Sequence, residues 1–219
     1  MERVVEPEIL DGLPAEDPAA RASRADLRRI NFLMGNERWI ERRVADMPET
    51  GGNGIVEWGA GSGELLAKLA RLGPATGVDR VARPVGLPES VGWRQADVFE
   101  AAGSGGLLVS NLFLHHFEGD ALRRLGERMH DFSAVVVVEP WRSAVALALG
   151  RMMLPLVSRV TRHDMIVSIR AGFRRGELPC LLGLDSRAWV ISESIDLRGG
   201  LRLMAVRRDD GGGATGWRC

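Results

Sequence analysis

Helical and strand patterns alternate from residue 54 to residue 207, and this alternation restricts the fold more than any other feature of the chain. Strands that alternate with helices pair in parallel, and the helices then cover both faces of the sheet. The run Val135 to Val138 contains only β-branched residues, as expected for a central strand buried on both faces. The pattern therefore predicts an α/β fold with a doubly wound, mostly parallel sheet.

Seven strands are predicted, and the last two should form an antiparallel hairpin. They are joined by Asp196 to Gly200, a connection too short for a crossover helix. A helix is predicted at Glu64 to Leu72, directly after the first strand. The predicted strands are Gly54–Trp58, Ala75–Asp79, Gly92–Gln95, Gly106–Ser110, Ala134–Glu139, Ala188–Ile195 and Leu201–Arg207.

The region before the first strand is predicted to be helical. Apolar residues recur at helical spacing from Ala22 to Asp46, with an interruption near Gly35, and Ser23 is a suitable N-cap. Two short helices should therefore follow an irregular lead-in of about 20 residues. These patterns divide the chain into an N-terminal extension with two helices at 1–50, a main domain at 51–208 and a disordered, glycine-rich tail at 209–219.

Composition excludes several classes of protein. The chain has 29 basic and 29 acidic residues, so no overall positive charge favours nucleic acid. Two cysteines are too few for a zinc site or a disulfide framework, so no metal is predicted and a reducing, cytoplasmic location fits. The N-terminus lacks a signal-peptide pattern, and the apolar segment Ala144 to Val160 is shorter than the ~20 residues of a membrane span. A monomer or a homodimer is compatible with the sequence, as is transient contact with a membrane surface.

The strongest functional signal is a glycine loop, Gly59-Ala60-Gly61-Ser62-Gly63, between the first strand and the helix after it. Glycine allows the backbone to turn sharply and to approach a ligand closely, and a helix N-terminus offers free N–H groups. A dinucleotide fingerprint would have glycine or alanine where Glu64 stands, and a glutamate would repel the pyrophosphate. The loop therefore predicts a ligand other than NAD or FAD.

Glu57 precedes the loop by two positions, and the resulting E-x-G-x-G-x-G pattern resembles the class I S-adenosylmethionine-dependent methyltransferases. The resemblance covers about Gly54 to Arg207 and implies a Rossmann-like fold with a helical cap ahead of the first strand. In that family the acid at this position contacts the methionine end of S-adenosylmethionine, directly or through water. The resemblance implies this role for Glu57 and cofactor contacts for Gly59, Ala60, Gly61 and Gly63.

Two further acids follow at predicted strand ends. Asp79 comes twenty residues after Gly59 and could accept both ribose hydroxyls. Asp97 comes eighteen residues later, where the resembled family contacts the adenine amino group. Either acid alone would more often be a solvated loop carboxylate, but their order after the glycine loop favours a cofactor site. The remaining predicted cofactor contacts are Arg80, Val98 and Asn111.

The segment Ser110 to Phe117 resembles the one after the fourth strand in small-molecule methyltransferases of quinone biosynthesis and related O- and C-methylating enzymes. It lacks the paired prolines of enzymes that methylate adenine or glutamine amines, which disfavours those substrates. His115 and His116 are candidate catalytic residues, since an imidazole could accept a phenolic or enolic proton. Alternatively, one histidine packs or caps a helix and the other lines the pocket, because methyl transfer mainly needs alignment and desolvation.

Six arginines and one acid, Asp164, occur between Arg151 and Arg175. They could form the solvated face of a helix, or a lid in which an inward arginine holds a carboxylate, phosphate or phenolate of the acceptor. The residues Arg162-His163-Asp164 followed by Ser168-Ile169-Arg170 are similar to a pattern in methyltransferases of polyketide and quinone-type pathways. The candidate acceptor-binding residues are Trp141, Arg162, Arg170 and Arg174.

Together these features predict a methyltransferase that transfers a methyl group from S-adenosylmethionine to an oxygen or carbon of a small, largely apolar acceptor, aromatic and anionic acceptors included. One alternative is a non-catalytic subunit that binds S-adenosylmethionine. The other is a nicotinamide-dependent reductase, which Glu64 and the absence of tyrosine oppose.

Overall fold

The computed structural model describes residues 1–14, 16–47, 53–101 and 105–208, and seven strands within these ranges form one sheet. Along the sheet the order is 3-2-1-4-5-7-6, numbered by position in the chain. The first five strands pair in parallel, and the seventh is antiparallel to both the fifth and the sixth. The strands are β1 (Ile55–Trp58), β2 (Ala75–Asp79), β3 (Gly92–Gln95), β4 (Gly105–Asn111), β5 (Phe132–Pro140), β6 (Trp189–Asp196) and β7 (Gly200–Arg207).

The predicted mostly parallel sheet and its C-terminal hairpin are confirmed. The bounds of β2 and β3 are as predicted, and those of the other strands differ by one or two residues. For example, β5 begins at Phe132 because its ladder with β4 starts at the pair Gly105 and Phe132. The valines from Val135 to Val138 are fully buried, and they alternate between the two hydrophobic clusters on opposite faces of the sheet. This alternation is the burial on both faces that their composition predicts.

The helices lie where the predicted pattern has them, with corrections at their ends. They are α1 (Pro18–Met34), α2 (Asn36–Ala45), α3 (Glu64–Leu69), α4 (Gly119–Met129), α5 (Ala144–Met153), α6 (Arg159–Ala171) and α7 (Glu177–Leu181). Short 3-10 turns occur at Leu10–Gly12, Leu114–His116 and Leu154–Leu156.

The predicted break near Gly35 is confirmed, since this residue separates α1 from α2 with a left-handed φ of 66°. The predicted N-cap at Ser23 is wrong. Asp17 caps α1 by accepting a hydrogen bond from Ala19 N at 2.7 Å, and Pro18 occupies the first helical position, which suits its fixed φ. Ser23 lies one turn inside the helix, where its buried hydroxyl accepts a hydrogen bond from Thr161 at 3.0 Å.

Two helical layers cover the sheet. On one face α2 and α3 pack through residues such as Ile40 and Leu66, and on the other α4 and α7 pack through residues such as Leu125 and Leu178. Since α2 belongs to one of these layers, the predicted domain boundary at residue 50 remains a prediction. The helices α1 and α5 both contact α6, and α6 also contacts the 3-10 turn after β4. In the described part of the chain no helix is long and apolar enough to cross a membrane.

The first fourteen residues are largely irregular, as predicted, but they pack against the end of the sheet. Arg3 donates hydrogen bonds to the carbonyl oxygens of Ala171, His115 and Phe117 at 2.8, 3.2 and 2.7 Å. This segment therefore reaches the region after β4, which the sequence pattern did not indicate. The predicted disordered tail at 209–219 lies outside the described residues.

Replacement of Gly126 by alanine is expected to destabilise the fold. A Cβ at this position in α4 would lie 1.7 Å from the backbone carbonyl oxygen of Leu182, so one of the two elements has to shift. Overpacking of this kind costs roughly 1–3 kcal/mol, which lowers the melting temperature by several degrees for a chain of this size. Gly12→Ala is the matched control, since no atom lies within 4 Å of its added Cβ, and equal melting temperatures for the two variants would contradict the prediction.

Candidate functional site

The glycine loop connects β1 to α3 in a conformation that requires glycine. Gly59, Gly61 and Gly63 have φ values of 70°, 51° and 73°, which side-chain-bearing residues rarely adopt. Gly59 is also crowded, because an added Cβ would lie 2.3 Å from the ring of Phe113. The loop is held to β2 by a hydrogen bond from Gly59 N to the carbonyl oxygen of Val78 at 3.0 Å.

The predicted acids lie at the carboxyl ends of neighbouring strands. Asp79, the last residue of β2, accepts hydrogen bonds from Gly61 N at 2.7 Å and from Val81 N at 3.1 Å. Asp97 follows β3 and accepts a hydrogen bond from Phe99 N at 2.9 Å. The structure thus brings Asp79 into direct contact with the glycine loop, and it holds Asp97 in a local turn after the adjacent strand.

Three other predicted contacts differ in exposure. Ala60 and Val98 are buried, whereas Arg80 is exposed and its carbonyl oxygen accepts a hydrogen bond from Gln95 Nε2 at 3.3 Å. Their contact with a cofactor remains a prediction.

Glu57 lies in β1 with its carboxylate buried and incompletely paired. The residue is 3% exposed, and its Oε2 has no hydrogen-bond partner. Burial, and secondarily the negative charges of Glu37 and Asp79, raise its pKa well above the ordinary value. A buried carboxylate in this setting is stabilised by a cationic ligand, which would supply the missing partner.

The end of β4 adds two more unpaired polar atoms beside Glu57. In the register of β1 and β4, Glu57 pairs with Val109, the residue before Ser110. Ser110 Oγ and Asn111 Oδ1 are both buried without a partner. Leu112, the next residue, has a φ of 54° and is the one non-glycine residue with positive φ in the described ranges. Unpaired buried polar atoms and a strained backbone concentrate at functional sites, and here they adjoin the glycine loop.

Glu139 organises the segment after β4. Its fully buried carboxylate accepts hydrogen bonds from the backbone N–H groups of Phe113 at 3.0 Å, Leu114 at 2.7 Å and His115 at 3.2 Å. It also accepts one from His115 Nδ1 at 2.7 Å. The carboxylate therefore fixes the 3-10 turn that carries both predicted catalytic histidines.

His115 is held between two carboxylates. Its ring is buried, with Nδ1 bonded to Glu139 and Nε2 3.5 Å from Glu8 Oε1. Burial lowers the pKa, but the hydrogen bond with Glu139 and the nearby carboxylate of Glu8 outweigh it and raise the pKa to about 9. A general-base role for His115 remains a prediction, and the raised pKa opposes it, because a protonated ring cannot accept a proton from the acceptor.

His116 differs from its neighbour. Its side chain is 28% exposed, and its ring centroid lies 4.3 Å from that of His115. Burial and then the positive charge of His115 lower its pKa. Its Nδ1 lies 3.8 Å from Asp11 Oδ2, so the N-terminal segment approaches this ring as well. A catalytic role for His116 remains a prediction.

None of the three candidate acceptor-binding arginines is buried. Arg162, Arg170 and Arg174 are all exposed; Arg162 donates to the carbonyl oxygen of Val157 at 3.0 Å and Arg174 to that of Met1 at 2.5 Å. The inner face of α6 is occupied instead by buried residues, namely Val160, Thr161, Asp164 and Val167. Contact between one of these arginines and an anionic acceptor therefore remains a prediction, which their exposure does not support.

Trp141 lies just after β5 and packs against the hydrophobic core, with an isolated bridge to Phe173. Contact between this ring and an acceptor remains a prediction.

Several residues at the site were not predicted. Glu139 could have been recognised from the sequence, because a charged residue at the end of an otherwise apolar strand needs buried hydrogen-bond partners. Arg142, two residues after β5, is 3% exposed and bonds Glu177 at 2.6 Å. Arg3 and Glu8 have no such signal, because nothing in the lead-in pattern indicates where it packs.

A cavity of about 740 Å³ lies elsewhere, between α7 and β6. Its lining includes Pro179, Cys180, Ile191 and Glu193. No residue of the glycine loop or of the acids described above contributes to it, and β6 is the edge strand farthest in sheet order from β3. This cavity is therefore distinct from the candidate site.

Comparison with solved structures identifies the architecture. The plantazolicin methyltransferase BpumL, solved with a monoazolic desmethylPZN analog and SAH, is similar over 88% of this chain and 91% of its own, with a TM-score of 0.67 and 12% identity. Magnesium protoporphyrin IX methyltransferase (ChlM) from Synechocystis PCC 6803 with bound SAM covers 91% of this chain and 88% of its own, with a TM-score of 0.56 and 12% identity.

An O-methyltransferase family protein from Burkholderia thailandensis is similar over 90% of this chain and 64% of its own, with a TM-score of 0.54 and 15% identity. No protein-family model matches the sequence, and no curated protein matches it. At these identities the likeness establishes the fold, which is that of the class I S-adenosylmethionine-dependent methyltransferases, as the resemblance in sequence implies.

Proposed function

We propose that the protein is an S-adenosylmethionine-dependent methyltransferase acting on a small, largely apolar molecule. The observation that carries the proposal is the buried Glu57 carboxylate with an unpaired oxygen, next to a loop of three left-handed glycines. S-adenosylmethionine has the matching chemistry, since its methionine end carries an ammonium group and it lacks phosphates. The structural neighbours of this chain that were solved with SAM or SAH support the same cofactor.

The residues at the site fit this cofactor. Glu57 would bind the ammonium group, and the backbone around Gly59 and Gly61 would approach the ligand without a Cβ clash. Asp79 would accept the ribose hydroxyls and Asp97 the adenine amino group, as the family resemblance implies. The bound cofactor supplies a sulfonium-activated methyl group for a displacement reaction.

The contribution of the chain itself is positioning and exclusion of water. The Glu139 carboxylate fixes Phe113 beside Gly59, and the apolar Leu112-Phe113-Leu114 segment limits water at the end of β4. Displacement at a methyl group depends on alignment and desolvation, so a rigid apolar boundary contributes directly. An oxygen or carbon nucleophile is proposed for the acceptor, because the segment lacks the paired prolines typical of enzymes that methylate planar amines.

Calorimetric titration with S-adenosylmethionine, S-adenosylhomocysteine and NADH tests the cofactor. Binding of the first two without NADH is expected, and the reverse would exclude the proposal in favour of a reductase. Transfer of labelled methyl groups to a panel of phenols, enols, carboxylic acids and amines then tests catalysis. Cofactor binding without transfer to any acceptor class would favour a non-catalytic subunit.

Glu57→Gln is expected to stabilise the free protein while weakening cofactor binding. Because the folded-state pKa of Glu57 is raised, its ionisation opposes folding above the unfolded value of about 4.5, so the gain should appear near pH 7 and vanish near pH 4. Loss of a charged hydrogen-bond acceptor for the ammonium group should weaken S-adenosylhomocysteine binding roughly tenfold or more. Melting curves at the two pH values and calorimetry measure both effects.

Glu64→Gln is the matched control for this variant. Glu64 begins α3 in the same loop region, but its side chain is 45% exposed and makes only a 3.7 Å ion pair with Arg28. It should change neither property measurably. If Glu57→Gln binds as tightly as the wild type, the proposed role of Glu57 is wrong.

A further inference from the structure

We propose that Glu8, His115 and His116 form a binding site for a divalent transition-metal ion such as Zn²⁺. One ring nitrogen of each histidine and one carboxylate oxygen of Glu8 lie within 4.8 Å of one another. In the ranges described by the structure, this is the one cluster of three or more such residues with that spacing. Two imidazoles and a carboxylate are a ligand set that zinc uses where one coordination position stays open.

The orientation of His115 suits a metal ligand. Its Nδ1 is bonded to the buried Glu139 carboxylate at 2.7 Å, which directs Nε2 toward Glu8. Metal-binding histidines commonly use their second nitrogen in this way, because the carboxylate fixes the ring and increases its basicity. Glu139 is in turn fixed by backbone N–H groups of Phe113 and Leu114, so the support extends into the sheet.

The separation between His115 Nε2 and Glu8 Oε1 is the second geometric argument. It measures 3.5 Å, longer than the ~2.8 Å of a charge-assisted hydrogen bond. Two ligand atoms bound to one tetrahedral zinc ion at about 2.0–2.1 Å lie about 3.4 Å apart. The pair is therefore spaced as two ligands of one ion.

Glu8 is held in place from the other side. Ser168 Oγ donates to its Oε1, and the next two backbone N–H groups, of Ile9 and Leu10, bond the buried Asp164 carboxylate at 2.8 and 3.0 Å. The side chains of Glu8 and His115 are only 11% and 4% exposed. The carboxylate is thus anchored near the imidazoles by an element far away in sequence.

The exposed side of the cluster is at His116, where an additional ligand could enter. Asp11 Oδ2 lies 3.8 Å from His116 Nδ1 and offers a further carboxylate oxygen. The turn that carries both histidines directly follows Phe113, whose ring touches the glycine loop. If the proposed methyltransferase function holds, an ion here would bind an oxygen of the acceptor close to the cofactor.

The test is metal binding by the full chain without an affinity tag. After treatment with a chelator and dialysis, calorimetric titration with ZnCl₂ should give one ion per chain, and Co²⁺ should give the visible absorption of a tetrahedral nitrogen and oxygen site. His116→Ala and Glu8→Gln should each weaken zinc binding at least tenfold and abolish the cobalt spectrum. His130→Ala removes a histidine outside the cluster and should bind zinc as the wild type does.

Circular dichroism establishes that each variant is folded, so a loss of binding reports on the site. Absence of stoichiometric zinc binding to the wild type, or equal binding by all three variants, would overturn the proposal. Titration with S-adenosylhomocysteine in parallel separates this proposal from the previous one. Cofactor binding without zinc binding would contradict only the metal site, and zinc binding without cofactor binding would contradict only the methyltransferase assignment.

Discussion

Replacement of Asp79 by alanine is expected to weaken S-adenosylhomocysteine binding by ~2–4 kcal/mol, roughly 30- to 900-fold. Two losses combine in this variant. The ribose hydroxyls lose a charged acceptor, and Gly61 N loses the carboxylate that accepts its hydrogen bond at 2.7 Å. Because Gly61 lies in the glycine loop with a positive φ, loss of this anchor should also disorder the surface that approaches the cofactor. Calorimetry on the folded variant measures the combined effect.

Asp79→Asn separates the two contributions. The amide keeps one oxygen that can accept the hydrogen bond from Gly61, but it lacks the charge and the second acceptor. An intermediate affinity is therefore expected. Asp97→Asn serves as a comparison at the same edge of the sheet, because the Asp97 carboxylate is bonded by Phe99 N in its own turn rather than by the glycine loop. Wild-type affinity of a folded Asp79→Ala protein would exclude the proposed cofactor site.

Glu139→Ala is expected to cause the largest loss of stability, ~3–5 kcal/mol, because it leaves buried donors without their charged acceptor. The three backbone N–H groups from Phe113 to His115 and the imidazole of His115 all bond this carboxylate. The melting temperature should fall by on the order of 10 °C. Denaturant unfolding measured alongside the thermal transition gives the free energy directly.

Glu139→Gln should also be destabilised, by roughly 1–3 kcal/mol, even though its shape is almost unchanged. The amide has one acceptor oxygen in place of two, and its NH₂ group would face groups that themselves donate. Glu118→Gln is the matched control, since Glu118 is exposed and caps α4 without a side-chain hydrogen bond. A Glu139→Gln protein as stable as this control would show that the carboxylate is not the organising group of the turn.

The elements that form through local sequence patterns could be predicted from the sequence alone. The β-branched run Val135 to Val138 forms an interior strand buried on both faces, and the five-residue connection from Asp196 to Gly200 closes a hairpin, because short-range chemistry determines both. Likewise the glycines at 59, 61 and 63 take left-handed conformations at the end of β1, where the sequence predicts a sharp turn. The acids Asp79 and Asp97 lie at the same edge of the sheet, because parallel strands place their carboxyl ends on one edge.

Tertiary structure decided which charged groups are buried together. Glu8 and Arg3 reach the turn after β4 from the N-terminal segment, and no local pattern specifies that contact. It is this packing that places His115 between two carboxylates, so its protonation could not be inferred from the residue type. The arginines from Arg151 to Arg175 illustrate the converse case. Their number is read from the sequence, and four of them lie in α5 and α6. Which side of α6 is buried depends on its tertiary partners, because Val160, Asp164 and Val167 turn inward only where apolar surface and hydrogen-bond donors meet them.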